Sequence, residues 1–454
     1  MPPYETGMFL KTPKEWMYRG EGNCNIVISL PRTKEILRIR KTEKPKSLLG
    51  WLLVFISDFF YWYCGKSFKD EVRDLGFYTK VMRPLIGNQY TSDSKQVFLT
   101  RKQMQIFKDG LIKKRPEFRQ NKTLQYGRAS LFHDFAFLPM EYDHLQFCEN
   151  TFSVEIKPKQ GYRPPKEQIY SNCFFCMNQY LKLDKKLIKY RTKYCPEDLF
   201  SGDKLRMKMA LRYLMEVPQN NFKIFKNGLV HYDDKQKNMG VLQEIFETDV
   251  LEELLIDEFC DFIQRCLITN TVLDSSSDNN DSCKDCNNFK TSHSIAINHN
   301  LYENRLPKGS VLERILSVQT LDLEGTHSTY KKLSKSGEWE NYGFVEKLLD
   351  VLDNRKEKCV RCTIFEMVNA QSELMFLPYL ISAIAKDCSL MITFRKLKQD
   401  VGADMKNVFK TRYGTFLVSI GVFDLYPKPL STIEKHYKRN KEIFKALKKR
   451  EALT

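Results

Sequence analysis

Acidic residues are in short supply: 56 Asp and Glu face 73 Lys and Arg, which leaves a net charge of +17 and an isoelectric point near 9.1. The favoured partners of such a surface are anions, whether nucleic acid, anionic lipid or a phosphorylated small molecule. Glycine and proline are also sparse, at 20 and 17 in 454 residues, while 42% of the chain is apolar, which excludes a disordered or fibrous protein. The length excludes a miniature scaffold and allows two or three domains. No secretory n-region and h-region opens the chain, no repeat period is visible, and the 13 cysteines are odd in number, so a complete disulfide framework is not expected and a reducing interior is.

Long hydrophobic runs are missing except at 48–65, LLGWLLVFISDFFYWYCG, flanked by Lys44 and Lys46 on one side and Lys66 and Lys69 on the other. Its length is at the lower edge of a bilayer span, Asp58 in its middle would be costly in lipid, and lysines at both ends give no orientation. A membrane span, a helix covered by the rest of the chain or by a partner, and a wrongly assigned coding segment are the three readings.

What is present alternates strands with helices. Asn25–Leu30 and Glu35–Arg40 read as a hairpin behind Gly20-Glu21-Gly22-Asn23, a pair of glycines that either makes a tight turn or lets backbone approach a phosphate. Asp70–Met82, Lys204–Glu216 and Leu306–Leu323 have helical spacing, and Leu131–Leu138, Asn150–Lys159, Ser389–Phe394 and Thr415–Phe423 are strand-like. Asn227-Gly228 marks a second hairpin. The stretch 274–300 is Ser-, Asn- and Asp-rich and reads as an insertion or loop. An antiparallel start with mixed elements fits an α+β fold.

In a strand, Glu155, Lys157 and Lys159 of Glu155-Ile156-Lys157-Pro158-Lys159 would share one face, bringing two ammonium groups and a carboxylate together. Lysine suits phosphate as a compact charge, although a solvated edge strand closed by proline would look the same. Asp387 and Asp424 each adjoin a strand-like run, where an Asp ordinarily serves a turn.

That segment resembles the Glu-x-Lys-Pro-Lys motif of the inositol-pentakisphosphate 2-kinases. Further segments match the family in order: Gly20-Glu21-Gly22-Asn23, the helix from Cys176 to Lys182 with Asn178 where the family has His, Tyr194–Gly202, Pro218–Phe225, Leu306–Gly309 and Ala385–Ser389. The resemblance runs from about Trp16 to Tyr437. It implies a kinase-like two-lobe fold with ATP in a cleft between the lobes, residues 1–134 forming the nucleotide lobe and 135–454 the inositol phosphate and catalytic lobe. It further implies transfer of the ATP γ-phosphate to the 2-hydroxyl of inositol 1,3,4,5,6-pentakisphosphate, giving inositol hexakisphosphate. ATP and Mg2+ are the implied cofactors, and an intracellular monomer in nucleus or cytoplasm is expected. A basic nucleic-acid-binding protein and a membrane-anchored protein are the alternatives; neither an RNA-recognition motif nor a finger array is present.

Carried over by position, Gly20, Glu21, Gly22, Asn23 and Arg38 would hold the nucleotide phosphates, and His133, Asp134 and Phe135 would meet adenine. Glu155 and Lys157 would serve the nucleotide side, with Lys157 also counted among the catalytic groups. Asp387 would take the hydroxyl proton and hold metal, and Asp424 would hold metal. Arg119, Lys159, Lys182, Asn221, Lys223 and Lys428, with His436 and Tyr437, are the candidates for the inositol phosphates. Thr432 stands where some relatives carry a basic residue, and the lysines of 438–450 read as a solvated amphipathic tail. The apolar run at 48–65 departs from the family, which has a polar helix there.

Two cysteine readings complete the list. Cys283-x-x-Cys286 with His293 and His299 has spacing compatible with a structural zinc, which some family members hold in this region; a plain polar loop is the alternative. Cys173-x-x-Cys176 and Cys359-x-x-Cys362 have no nearby His and read as buried or incidental thiols.

Overall fold

The computed structural model describes residues 8–44, 47–50, 52–53, 56, 69–125, 127–270, 306–337, 343–354, 359–364, 374–399, 405 and 407–451. The candidate zinc set Cys283, Cys286, His293 and His299 and most of 48–65 lie outside these residues. The chain divides into two compact units, one of residues 1–79 and 92–134 and the other of 80–91 and 135–454.

Unit 1 is built on an antiparallel sheet that gains one parallel edge strand. Its strands are β1 (Met8–Phe9), β2 (Met17–Glu21), β3 (Asn25–Leu30), β4 (Glu35–Glu43), β5 (Ser94–Phe98), β6 (Lys122–Leu124) and β7 (Arg128–His133), in the order β1-β5-β7-β4-β3-β2 with β6 paired to β4. The expected hairpin is β3–β4, closed by a Pro31–Thr33 turn in which Lys34 is left-handed at φ 52°. Period-two alternation puts Leu37, Ile39 and Lys41 of β4 on the buried face and leaves Arg38 and Arg40 on the other. Helix α1 (Lys69–Phe77) precedes β5, and α2 (Arg101–Leu111) follows it, started by a capping box between Thr100 and Gln103. Met104, Phe107 and Leu111 of α2 close the core over Ile26, Ile28, Leu37, Ile39 and Leu131.

Unit 2 holds a second, wholly antiparallel sheet in the order β10-β9-β8-β11-β13-β12, formed by β8 (Phe152–Ile156), β9 (Phe222–Lys226), β10 (Leu229–Tyr232), β11 (Ser389–Lys396), β12 (Val408–Thr411) and β13 (Gly414–Phe423). Asn227 and Gly228 both take positive φ, 50° and 80°, as a two-residue hairpin turn requires. The central strands β8 and β11 are buried along nearly their whole length, so they read as apolar runs rather than alternations. Around the sheet lie α3 (Phe174–Asp184), α4 (Lys204–Glu216), α5 (Glu252–Ile268), α6 (Val311–Gln319), α7 (Gly325–Ser336), α8 (Phe344–Asn354), α9 (Leu377–Ala385) and α10 (Ser431–Glu451). Phe262 of α5 meets Phe394, Phe409 and Phe416 of the sheet, edge-on to the first two.

The amphipathic tail expected at 438–450 is a helix with its lysines exposed. Its apolar stripe docks: Ile443 and Ala446 are buried against Met177 and Leu181 of α3, with Phe444 and Leu447 beside them. Among the described residues no helix is long and apolar enough to cross a membrane, and Leu48, Leu49, Leu52 and Leu53 are exposed.

Candidate functional site

The end of the second sheet gathers the acids and the cations. Ser389 of β11 is opposite Phe423 of β13, so Asp387, two residues before Ser389, and Asp424, directly after Phe423, emerge at the same end of adjacent strands. Leu390 is paired to Ile156 of β8, which brings the residues after Ile156 level with Asp387. Lys159 Nζ accordingly donates to one oxygen of Asp387 at 3.2 Å, and Lys428 Nζ to the other at 2.9 Å. Desolvation works against the charge on Asp387, but the ammonium groups of Lys428 and Lys159 outweigh it and hold the carboxyl down to about 2. The buried Cys388 thiol, pushed up to about 12 by burial and then by Asp387, also feels Asp424.

The backbone is strained at two of these positions. Lys159 and Asp424 take left-handed φ of 63° and 65°, and neither is glycine. Such conformations persist where the surroundings enforce them, and they gather at functional sites. At Lys159 the enforcing group is Gln319, wholly buried at the end of α6. Its Nε2 donates to the carbonyls of Lys159 and Ala385 at 2.9 and 3.1 Å, and its Oε1 accepts from Gly161 and Tyr162 N–H at 2.9 and 3.3 Å. One amide thus fixes both the lysine loop and the turn that presents Asp387. Sequence reasoning missed it, because a glutamine ending a helix carries no local mark of four distant partners.

The shared face expected for Glu155, Lys157 and Lys159 does not extend that far. β8 ends at Ile156, and the left-handed turn at Lys159 sets that side chain by its own local geometry. Glu155 is buried, 3.5 Å from Lys223 on β9, while Lys157 N–H donates to the carbonyl of the buried Asn221 at 2.8 Å.

Two further cations belong to this neighbourhood, Lys182 and Arg439. Lys182 of α3 donates to Gln219 Oε1 at 3.2 Å, and its ammonium is pushed below its ordinary value by burial first and then by Lys159 and Arg439. Arg439, on α10, is held by Asn178 Oδ1 at 2.9 Å, the residue that stands where the resembled family has His. Arg439 was hidden in the basic tail; only the apolar stripe of α10, at Ile443 and Ala446, could have signalled that this helix docks and carries an arginine inward. His436 is no cation: burial, then Lys428 and Lys386, lower it to about 4, and its Nδ1 lies 2.9 Å from Tyr379 Oη. Tyr437 stacks face to face on Tyr330, ring centroids 3.8 Å apart.

In unit 1, Gly20 and Gly22 have φ values that any residue could adopt, and a Cβ on either would meet nothing within 4 Å. The fold itself does not demand glycine at these positions, and the space beside their backbone is open. Glu21 points the other way: it is buried in ion pairs with Lys41 at 2.6 Å and Arg115 at 2.9 Å. Burial raises its pKa, and Arg115 and Lys41 more than reverse that, so it is a charged internal clamp and its carboxylate is committed inside unit 1. Arg119 Nη1 donates to Asn23 Oδ1 at 3.2 Å, which puts this arginine beside the glycine loop. Arg38 lies opposite Val27 and Ser130 on the strand face away from the core.

Asp134 is equally committed: buried, it accepts from Arg19 and from Ser29 Oγ, both at 2.5 Å. His133 N–H donates to Ser92 Oγ at 2.9 Å. Phe135 belongs to unit 2, where its ring covers Gly421 and stacks on Phe423 at 6.5 Å.

Comparison with known proteins adds the last observation. Residues 18–442 match the family model described as inositol-pentakisphosphate 2-kinase. The chain is 28% identical to the inositol-pentakisphosphate 2-kinase of Danio rerio over 94% of its own length and 92% of the relative's. It is 26% identical to that of Arabidopsis thaliana over 95% and 93%.

Proposed function

This chain belongs to the inositol-pentakisphosphate 2-kinase family, and from that premise we propose that it moves the γ-phosphate of ATP to the 2-hydroxyl of inositol 1,3,4,5,6-pentakisphosphate, giving inositol hexakisphosphate. The observation that carries this reading is the clasp of Asp387 between Lys159 at 3.2 Å and Lys428 at 2.9 Å, with the buried Lys182 near enough to feel both Lys159 and Arg439. A buried ammonium with two further cations beside it is costly in a free protein, and a polyanion relieves the repulsion. Lys428 and Lys223 are near enough to acids of the same sheet, Asp387 and Glu155, to exchange those partners for phosphate.

Phosphoryl transfer asks the protein mainly to position groups and supply charge. In this reading Asp387 aims the hydroxyl. In the free enzyme it is a weak base because two lysines stabilise its charge; when substrate phosphates draw Lys159 and Lys428 away, its basicity rises where the hydroxyl proton must leave. Mg2+, when bound, neutralises charge on the nucleotide phosphates. Asp387 and Asp424 fit such an ion, since both are carboxylates at one sheet end and Asp387 stays ionised far below neutral pH. The open backbone at Gly20 and Gly22, with Arg119 and Arg38, is assigned to the nucleotide phosphates, and the two-lobe arrangement with ATP between the lobes is the expected frame.

The test is direct. Purified protein with ATP, Mg2+ and the pentakisphosphate should yield a product with one more phosphate, resolved by anion exchange, and Asp387→Asn should abolish it. Failure of the parent chain to form that product would end the reading.

A further inference from the structure

Cys173, Cys176 and Cys195 take no part in the chemistry above, yet their three Sγ atoms all lie within 4.8 Å of one another. The fold builds this cluster from two pieces of chain. Cys173 caps α3, and its sulfur accepts the backbone N–H of Cys176 at 3.4 Å, the arrangement by which a Cys-x-x-Cys at a helix start turns both sulfurs to one side. Cys195 opens the short helical turn Pro196–Leu199 and brings its sulfur to 3.8 Å from that of Cys173. A tetrahedron with Zn–S bonds of about 2.3 Å has an edge of about 3.8 Å. The same separation is far beyond the ~2.05 Å of a disulfide, and all three cysteines are free thiols.

We propose that Cys173, Cys176 and Cys195 bind one Zn2+ through three thiolates, with water in the fourth position. Thiolate sulfur selects soft or borderline cations such as zinc over the magnesium of the reaction centre. Cys173 is buried while Cys176 and Cys195 are partly exposed, so solvent reaches one side of the cluster. Among the described residues no fourth His, Cys, Asp or Glu joins the group. Sequence spacing alone could not complete the set, because the third ligand comes from the far side of α3.

The neighbours say what the ion would hold. Tyr194, fully buried beside Cys195, donates its hydroxyl to the carbonyl of Pro158 at 2.7 Å, between Lys157 and Lys159. The helix that Cys173 caps carries Lys182. A bound ion therefore ties together the supports of two lysines. That positioning consequence rests on the kinase reading; the binding of the ion does not.

The experiment measures metal on the full chain, expressed with zinc supplied and purified without chelator, by mass spectrometry of the metal per protein. Cys195→Ser and Cys176→Ser are compared with a Cys283→Ser/Cys286→Ser double variant, which removes the cysteine pair of the Ser-, Asn- and Asp-rich stretch 274–300. The expected result is the loss of one equivalent of zinc in each of the first two variants, and retention of that equivalent in the double variant. Cobalt substitution should give near-ultraviolet sulfur-to-metal bands in the parent that weaken at least tenfold in Cys195→Ser. Zinc content unchanged by Cys195→Ser and Cys176→Ser overturns the proposal, as does a Cys173–Cys195 disulfide mapped in protein trapped with alkylating reagent at lysis. Should the serine variants not fold, the parent decides: alkylation of Cys176 and Cys195 must release one zinc per chain, and alkylation without release refutes the site. The readout is metal and not turnover, so a chain that holds zinc but makes no hexakisphosphate separates this inference from the kinase reading.

Discussion

At the residue scale the decisive feature is an excess of positive charge held close together. Lys182 is pushed below its ordinary value by burial first and then by Lys159 and Arg439. Arg439→Ala should therefore raise the KM for the inositol polyphosphate about 10- to 100-fold, the loss of one or two charge-assisted hydrogen bonds. The KM for ATP should stay within about twofold by the same account. Steady-state kinetics with each substrate varied in turn checks this; an effect on ATP alone would move Arg439 to the other ligand. Lys159→Ala should act in the same direction, with an added fall in kcat because Lys159 also sets the charge on Asp387. Asp387 itself was legible as an acid at a strand end, but nothing in the sequence said that two lysines would clasp it.

At the scale of elements, both hairpins followed from local pattern, while strand bounds did so only in part: the strand expected over Leu131–Leu138 runs over Arg128–His133, and Met17–Glu21 and Ser94–Phe98 were not expected as strands. Lys204–Glu216 forms the helix its periodicity indicates, and Asn227-Gly228 makes its turn, because each depends on neighbours in sequence. The alternation expected through Lys159 stops at Ile156, since a distant amide imposes a left-handed turn. Gln319→Leu tests that amide. It removes four hydrogen bonds and leaves the N–H of Gly161 and Tyr162 buried, so the chain should lose about 2–4 kcal/mol of stability. The urea midpoint measures the loss, and kcat should fall further than unfolding explains, because the turn presenting Asp387 loosens. Gln319→Glu, which keeps the acceptor but not the donor, should fall between the two proteins. The helix α10 adds to this lesson: its amphipathic character was legible, but the surface its apolar face meets was not.

At the scale of the whole molecule, two bulk responses follow. His436 is held at about 4 in the folded chain against 6.5 ordinarily, so between these values the unfolded chain binds the extra proton. Its contribution to stability is complete above about pH 6.5 and is lost as pH falls toward 4, a slope that His436→Gln should flatten in denaturant titrations over that range. Asp387 acts lower: its contribution is present above its ordinary value of 3.8 and is lost as pH falls through about 2. Binding of the pentakisphosphate should raise the Tm with its concentration and more than an equal charge of sulfate does, by mass action on the folded state. Equal shifts from both anions would reduce the cation cluster to a general screening effect.

The order of motifs, the α+β mixture and the family were determined by sequence alone, since family segments and strand and helix periods are properties of residues close together along the chain. So were the glycine loop, the lysine motif and the two acids as candidates. The tertiary structure decided which of them meet. It spent Glu21 and Asp134 on internal ion pairs, brought Arg439 and Gln319 into the site, and joined Cys195 to Cys173 and Cys176. The physical reason is one of range: charge repulsion, a buried amide's four partners and a sulfur cluster are relations between residues tens to hundreds of positions apart, and only the packed chain brings them within bonding distance.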